Sequence, residues 1–254
     1  MSAIDPVALE VERVDEPLIA LTMDTDWAPD EVVEEAAQLV RGAGCKLTLF
    51  ATNRVAVKAD EIAIHPNLTS ISEPETPISA LMAMYPSARG IRSHSLVFTE
   101  RLRPLYERFN LAYDSNAIAY CCSHIQAALI GRRTLSLPLF FMDRFHMEMC
   151  GDAVNRWDVA RLPLQSPGLK IFDLHPVHVL LNTPDVPWYE RAKAFYQQPD
   201  RLRQMTAPGR GTRTFLEDLL SWIGHHRLRT FTMTELHDRF APPPAVDTTH
   251  PCAS

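Results

Sequence analysis

A chain of 254 residues, 46% of them hydrophobic, is long enough to bury a full core and short enough to form one domain. Its formal net charge of −6 comes without any basic cluster, which excludes an electrostatic case for nucleic acid or an anionic membrane as partner. The N-terminal acids Asp5, Glu10, Glu12, Asp15 and Glu16 are unlike a signal peptide, no apolar run nears the ~20 residues of a membrane span, and five unpatterned cysteines argue against a disulfide framework; the chain reads as cytoplasmic, with no integral membrane segment.

The first element sets the pattern. Leu18 to Met23 is an apolar run without glycine that ends in Asp24 and Asp26, as expected of a buried strand with a charged tip. Strand alternation would put both carboxylates on one side, about 7 Å apart, where they repel unless a cation or a guanidinium lies between them. The other reading of the pair is a solvated turn that caps the next helix. That helix begins near Pro29, has Asp30 and Glu31 at its positive end, buries Val32, Val33, Ala36, Leu39 and Val40, and stops at Gly42 and Gly44. Strand, acidic tip and helix make a βα unit, in which ligands gather at the C-terminal ends of strands.

Residues 46–51 and 61–64 read as the second and third strands. Pro66 forces His65 into an extended backbone at the third strand's end, where it is either a ligand or a turn histidine bonded to a carbonyl. Residues 70–77 read as a loop and 78–84 as a helix. A short strand over 88–95 carries Arg92 and His94 at its tip, again two apart; alternatively Arg92 is a surface charge and Ser93 caps a helix over 98–109. Strands over 111–116 and 133–141 follow, with Asp143 just beyond as a residue that holds an Arg or a catalytic His, or as a capping acid. Over 144–167 no element is legible, and Trp157 and Asp158 are candidates for a pocket wall.

The strand over 169–174 delivers His175-Pro176-Val177-His178, the second His-Pro at a strand end. Residues 183–208 read as a helical lid over that face, with Trp188 and Tyr189 as core. Gly209-Arg210-Gly211 opens a helix and could offer backbone N–H groups to an anion, a weak signal. A strand over 229–231 and a helix over 234–240 would close a barrel, leaving a loose Pro-rich tail from 241.

Leu21-Thr22-Met23-Asp24-Thr25-Asp26, Glu61-Ile62-Ala63-Ile64-His65-Pro66-Asn67, Ile91-Arg92-Ser93-His94-Ser95, Phe172-Asp173-Leu174-His175-Pro176 and Phe231-Thr232-Met233-Thr234-Glu235-Leu236 occur in that order. Together they resemble the polysaccharide deacetylases (NodB-homology, carbohydrate esterase family 4), and within them a subgroup encoded with bacterial O-antigen genes. The likeness runs from about residue 18 to 238. It implies an α/β fold, an irregular (β/α)7 TIM-like barrel; the length makes this one domain over 1–254, and the chain pass gives it a helical lid insertion around 183–210. It also implies a divalent metal, zinc in most members, and removal of an N-acetyl group from an amino sugar in surface polysaccharide biosynthesis.

By position the resemblance makes Asp24 the catalytic base, Asp26 the metal-binding acid and His65 the first metal histidine. Arg92 would orient the base, and His175 would protonate the leaving amine. The family's second metal histidine falls four residues after the first, where this chain has Thr69. The third ligand is then expected to be His94, with Asn67 as second choice. Trp27, Asn67, Asp143 and His178 are taken as substrate contacts. With no export signal visible, the amino sugar is expected to be nucleotide- or lipid-linked.

Three other readings stand beside this one. A barrel that has lost its metal could bind a glycan or a partner without catalysis, and a barrel of the same fold could hydrolyse a non-sugar amide. Asp24-Thr25-Asp26 is also a DxD of the kind with which glycosyltransferases hold Mn²⁺ and a sugar diphosphate, although only 23 residues precede it where a nucleotide-binding region belongs.

Overall fold

The computed structural model describes residues 14–69, 72–131, 134–152 and 154–241. The acids Asp5, Glu10 and Glu12, Arg133 at the start of one expected strand, and the tail beyond 241 lie outside them.

Strand β1 (Pro17–Asp24) is buried from Leu18 onward, as befits a strand covered on both faces. Helix α1 (Asp30–Gly42) turns Val32, Val33, Ala36, Ala37 and Val40 inward. β2 (Leu47–Ala51) and β3 (Glu61–Ile64) follow in parallel. α2 (Glu75–Met84) starts earlier than the apolar pattern suggests, with Glu75 in its first turn where an acid is favourable. β4 (Gly90–Ile91) is only two residues long. The helix expected over 98–109 is shorter: Thr99 caps a 3-10 turn over Glu100–Leu102, and α3 (Arg103–Arg108) begins where Pro104 can sit in a first turn.

Next come β5 (Tyr113–Asp114), β6 (Ala128–Leu129), β7 (Leu135–Ser136) and β8 (Phe141–Met142). α4 (Asp143–Met149) occupies part of the stretch that carried no pattern. β9 (Gly168–Leu174) is wholly buried and leads into α5 (Pro176–Leu181). α6 (Val186–Ala192), a 3-10 turn over Lys193–Phe195 and α7 (Pro199–Gln204) fill the segment read as a lid. α8 (Thr212–His225), β10 (Thr230–Phe231) and α9 (Met233–Phe240) complete the described chain.

The strands run in the order β6-β7-β5-β4-β3-β2-β1-β9-β8, parallel except for β6 against β7. The stretch carrying β7 and β8 pairs with β5 at its start and with β9 at its end. Leu137 N–H donates to the Asp114 carbonyl at 2.8 Å and Phe140 N–H to the Ile171 carbonyl at 2.9 Å, so the sheet curls round on itself. This is the irregular (β/α)7 arrangement, with β1, β2, β3, β4, β5, the β7–β8 stretch and β9 as staves. β10 is inserted beside the lower half of β1, at Ile19 and Ala20, while β1 pairs with β2 only from Leu21 upward.

The Gly-Arg-Gly stretch before α8 is satisfied from within. Asn182 Oδ1 accepts from the N–H groups of Arg213 and Thr214, at 3.1 and 3.2 Å, and Thr212 N–H donates to the Thr183 carbonyl. Gly211 N–H donates to Thr214 Oγ1 at 2.9 Å, so the N–H groups that open α8 already have protein acceptors.

Candidate active site

The site grows from four strand ends on one rim. β1 stops at Asp24, and the chain then turns through Asp26 (φ 44°) and Trp27 (φ 59°), both left-handed. The two acids thus meet through a turn and not by strand alternation, contrary to expectation. Such backbone costs about 1–2 kcal/mol per non-glycine residue and needs holding. Trp27 N–H donates to Thr52 Oγ1 at 2.8 Å, Tyr196 O–H to the Asp26 carbonyl at 2.8 Å and Gln197 to the Trp27 carbonyl at 2.9 Å.

β3 delivers His65, which is buried. β4 delivers Arg92 and Ser93, and His94 opens a 3-10 turn (His94–Leu96), its N–H held by the Pro66 carbonyl at 2.9 Å. Arg92 is no surface charge: it has no exposed area at all and lies 3.9 Å over the Phe50 ring. Ser93 does not cap α3; its Oγ donates to the Val97 carbonyl.

Asp26, His65 and His94 converge. Asp26 Oδ1 is 3.1 Å from His65 Nε2 and 3.1 Å from His94 Nδ1, and one donor atom from each of the three residues lies within 4.8 Å of the others. His65 Nδ1 sits 2.6 Å from the Arg92 carbonyl, which can only accept, so Nδ1 carries the hydrogen. In the neutral ring Nε2 then presents a lone pair to a carboxylate oxygen. Two acceptors at 3.1 Å repel unless a proton or a cation lies between them, and a histidine fixed through its other nitrogen is how metal-binding imidazoles are held. The donor set therefore fits a divalent cation. Burial alone would raise Asp26, but its bonds to His65 and His94 and the charge of His175 bring it well below the carboxylate range. His94 is raised, chiefly by its bond to Asp26.

Beneath this group Arg92 Nη1 donates to Asp24 Oδ1 at 2.7 Å and to Asp173 Oδ1 at 2.9 Å. The other Asp24 oxygen, Oδ2, is 3.5 Å from His65 Nε2 and stands on the cavity. Burial, with the neighbouring Asp24 charge, pushes Asp173 up to about 8 against the pull of Arg92 and His175. Asp173 is not among the site residues read from the sequence, although it stands on β9 two residues before His175 and comes to the same group.

His175 follows β9 directly. Its Nδ1 donates to Asp143 Oδ1 at 2.6 Å, and its Nε2 is 3.5 Å from Asp26 Oδ2. Burial opposes a charged imidazole, but Asp143, with Asp26 beside it, outweighs it and holds His175 well above its ordinary range. His178, buried with its Nδ1 on Thr183 Oγ1, is pushed down to about 4 by that burial. The two histidines have ring centroids 5.4 Å apart, one favouring the charged form and one the neutral, a division typical of acid–base sites.

A cavity of about 680 Å³ opens above these groups. Asp24, Asp26, Trp27, His65, His94, His175 and His178 line it, as does Tyr189, whose ring packs 4.5 Å from His178. Tyr189 was read as core and is wall instead. Asp143 does not reach the cavity; it is fully buried behind His175 and acts on that residue. Asn67 is not brought to the site: its Oδ1 accepts from the N–H and hydroxyl of Thr69, in an exposed turn. Trp157 lies in the core beside Phe215, its indole N–H on the Pro184 carbonyl, and Asp158 caps a 3-10 turn. Neither lines this cavity. Tyr196 and Gln197, in the middle of the segment read as a lid, do line it.

No curated protein sequence matches the chain. Among solved structures it is similar to WbmS of Bordetella bronchiseptica, described as a polysaccharide deacetylase involved in O-antigen biosynthesis, with 25% identity and a TM-score of 0.73 over 80% of this chain and 90% of that one. The PuuE allantoinase matches at 11% identity and a TM-score of 0.51, over 88% and 89% of the two chains, a likeness of fold alone. A Mycobacterium smegmatis protein described as a polysaccharide deacetylase has 13% identity and a TM-score of 0.48, over 88% and 90%. The profile of the WbmS-like polysaccharide deacetylases matches residues 21–193, which span every strand end that builds the cavity, and the chain belongs to that family.

Proposed function

We propose that the chain is a metal-dependent deacetylase that hydrolyses the N-acetyl group of a nucleotide- or lipid-linked amino sugar in O-antigen biosynthesis. The observation that carries this reading is the His65 imidazole, pinned through Nδ1 so that Nε2 faces Asp26 together with His94. A divalent cation, zinc by the family resemblance, would be held by Asp26, His65 and His94 and would supply charge that polarises an amide carbonyl and acidifies water.

The chain's own residues provide the proton transfers. Asp24, with Oδ1 fixed by Arg92, keeps Oδ2 towards the cavity to accept a proton from the attacking water. His175, held charged and with Nδ1 on Asp143, presents Nε2–H to the same space, where an amide nitrogen must gain a proton before it can leave. Trp27, 41% exposed on the rim and edge-on to His94, and Tyr189 offer flat apolar faces to a sugar ring.

Elemental analysis and acetate release from a panel of acetamido sugars test this together. Wild type should carry close to one divalent ion, Asp26→Ala should lose metal and turnover, and Asp24→Asn should keep metal while losing roughly 10²–10⁴-fold in rate. An Asp24→Asn variant as fast as wild type would sink the assignment. Thr69 in place of the family's second metal histidine keeps a metal-free binding barrel in view. A wild type that stays empty after added zinc favours it.

A further inference from the structure

Arg92 Nη1 carries two hydrogens and has three oxygen neighbours: Asp24 Oδ1 at 2.7 Å, Thr22 Oγ1 at 2.9 Å and Asp173 Oδ1 at 2.9 Å. The rest of the guanidinium is engaged elsewhere, Nε with the Ser115 carbonyl and Nη2 with Ser115 Oγ. The Thr22 hydroxyl hydrogen goes to the Phe172 carbonyl at 2.8 Å, its distance to Asp173 Oδ1 being 3.4 Å. One contact in this corner is therefore a hydrogen short.

A proton on Asp173 Oδ1 fills the deficit: Thr22 Oγ1, 3.4 Å away, accepts it, and both Nη1 hydrogens are then left for Asp24 and Asp173. Of the two acids, Asp173 is the enclosed one, with no exposed area and with its Oδ2 lacking any partner, whereas Asp24 stands on the cavity. Two carboxylates on one guanidinium would also leave an unbalanced charge in the interior. The charged groups that face Asp173 are Asp24 at the end of β1, Arg92 after β4, Asp143 at the start of α4 and His175 after its own strand. An oxygen of Asp173, an oxygen of Asp24 and a nitrogen of His175 lie within 4.8 Å of one another.

We propose that Asp173 is a positioning residue that rests as the neutral carboxylic acid, its hydrogen completing the corner around Arg92 so that the guanidinium charge serves Asp24 alone. The part that concerns catalysis rests on the deacetylase reading; the buried proton does not.

Urea unfolding of wild type and Asp173→Asn at pH 5, 6 and 7 tests the proton without any substrate. The folded wild type keeps a hydrogen that an unfolded Asp, with a pKa near ~3.9, has released, so its unfolding constant rises against that of the variant by roughly tenfold per pH unit. A ratio that stays flat with pH overturns the proposal, because an ionised Asp173 with a purely structural role gives no slope. Should Asp173→Asn fail to fold, infrared spectra of the wild type decide. A carboxylic-acid C=O band at pH 7 that survives Asp114→Asn, the other buried acid with a raised pKa, supports it, and absence of that band overturns it.

On acetamido sugars that wild type hydrolyses, Asp173→Leu should lose at least about tenfold more in kcat than Asp173→Asn, with KM retained, since the amide still offers a hydrogen and the alkyl group does not. Equal kcat in the two variants overturns the positioning role. Absence of acetate release by wild type tells against the deacetylase reading and leaves the unfolding result to decide the proton.

Discussion

His175 and Asp143 are joined twice: the imidazole Nδ1–H donates to Asp143 Oδ1 at 2.6 Å, and the backbone N–H of His175 donates to Oδ2 of the same carboxylate at 2.8 Å. Both ring angle and tautomer follow from this. Asp143 Oδ1 also accepts from the Arg144 N–H at 2.6 Å, so Asp143→Asn puts an NH2 against a donor whichever way the amide turns, and at least one bond becomes a clash of hydrogens. The expected loss in kcat is roughly 10²–10⁴-fold, the range of a general acid, with metal content unchanged because Asp143 touches none of Asp26, His65 and His94. Acetate release and elemental analysis on one preparation check it.

Chelation should destabilise the folded chain. A ion at a hundred times its dissociation constant adds about 2.7 kcal/mol, so EDTA is expected to lower the thermal midpoint of wild type and to leave that of His94→Ala unmoved. A thermal melt with and without chelator is sufficient, and an identical response in both would remove His94 from the ligand set.

Asn182, left-handed at the end of α5, uses its whole amide: Nδ2 donates to the carbonyls of Ala207 and Gly209, and Oδ1 accepts from Arg213 and Thr214. Asn182→Ala strips four partners at once and places an alanine in a conformation it resists. A destabilisation of roughly 2–4 kcal/mol in urea unfolding is expected, with Asn182→Asp in between because it retains the two accepting bonds.

Lys170 is buried on β9, 3.3 Å from the Pro167 carbonyl and 5.0 Å from the centre of the Phe140 ring, with no carboxylate partner among the described residues. Burial pushes it down to about 8. Unfolded, the side chain titrates near ~10.4, so between these values the unfolded chain binds the extra proton and stability rises with pH, by at most about 1.4 kcal/mol per unit. Lys170→Met lacks that proton. Its advantage over wild type should be largest below pH 8 and should shrink towards pH 10 in urea titrations, and a constant difference would show that Lys170 keeps its ordinary pKa.

The barrel was legible because β1 and β9 are long and covered on both sides, which prints an unbroken apolar run, and because Pro66 and Pro176 stop strands just past His65 and His175. The turn at Asp26 was not, since its left-handed backbone is imposed by Thr52, Tyr196 and Gln197 from distant parts of the chain. Arg92 looked ambiguous for a similar reason: only the assembled ring of Asp24, Asp173 and Ser115 makes a buried guanidinium tolerable. β4 and β5 were overestimated in length. They pair over two residues only, and there the Tyr113 ring lies so near Gly90 that a Cβ would meet its Cζ at 1.9 Å.

The pairing of β10 with the lower half of β1 bears on how the molecule is made. β9 covers one edge of Ile19 and Ala20, and on the other edge their neighbours are Thr230 and Phe231, far along the described chain. During synthesis β1 leaves the ribosome well before β10, and that edge stays open until β10 has followed it. Contacts of such sequence separation form late, and an unpaired apolar edge invites association between nascent chains in the meantime.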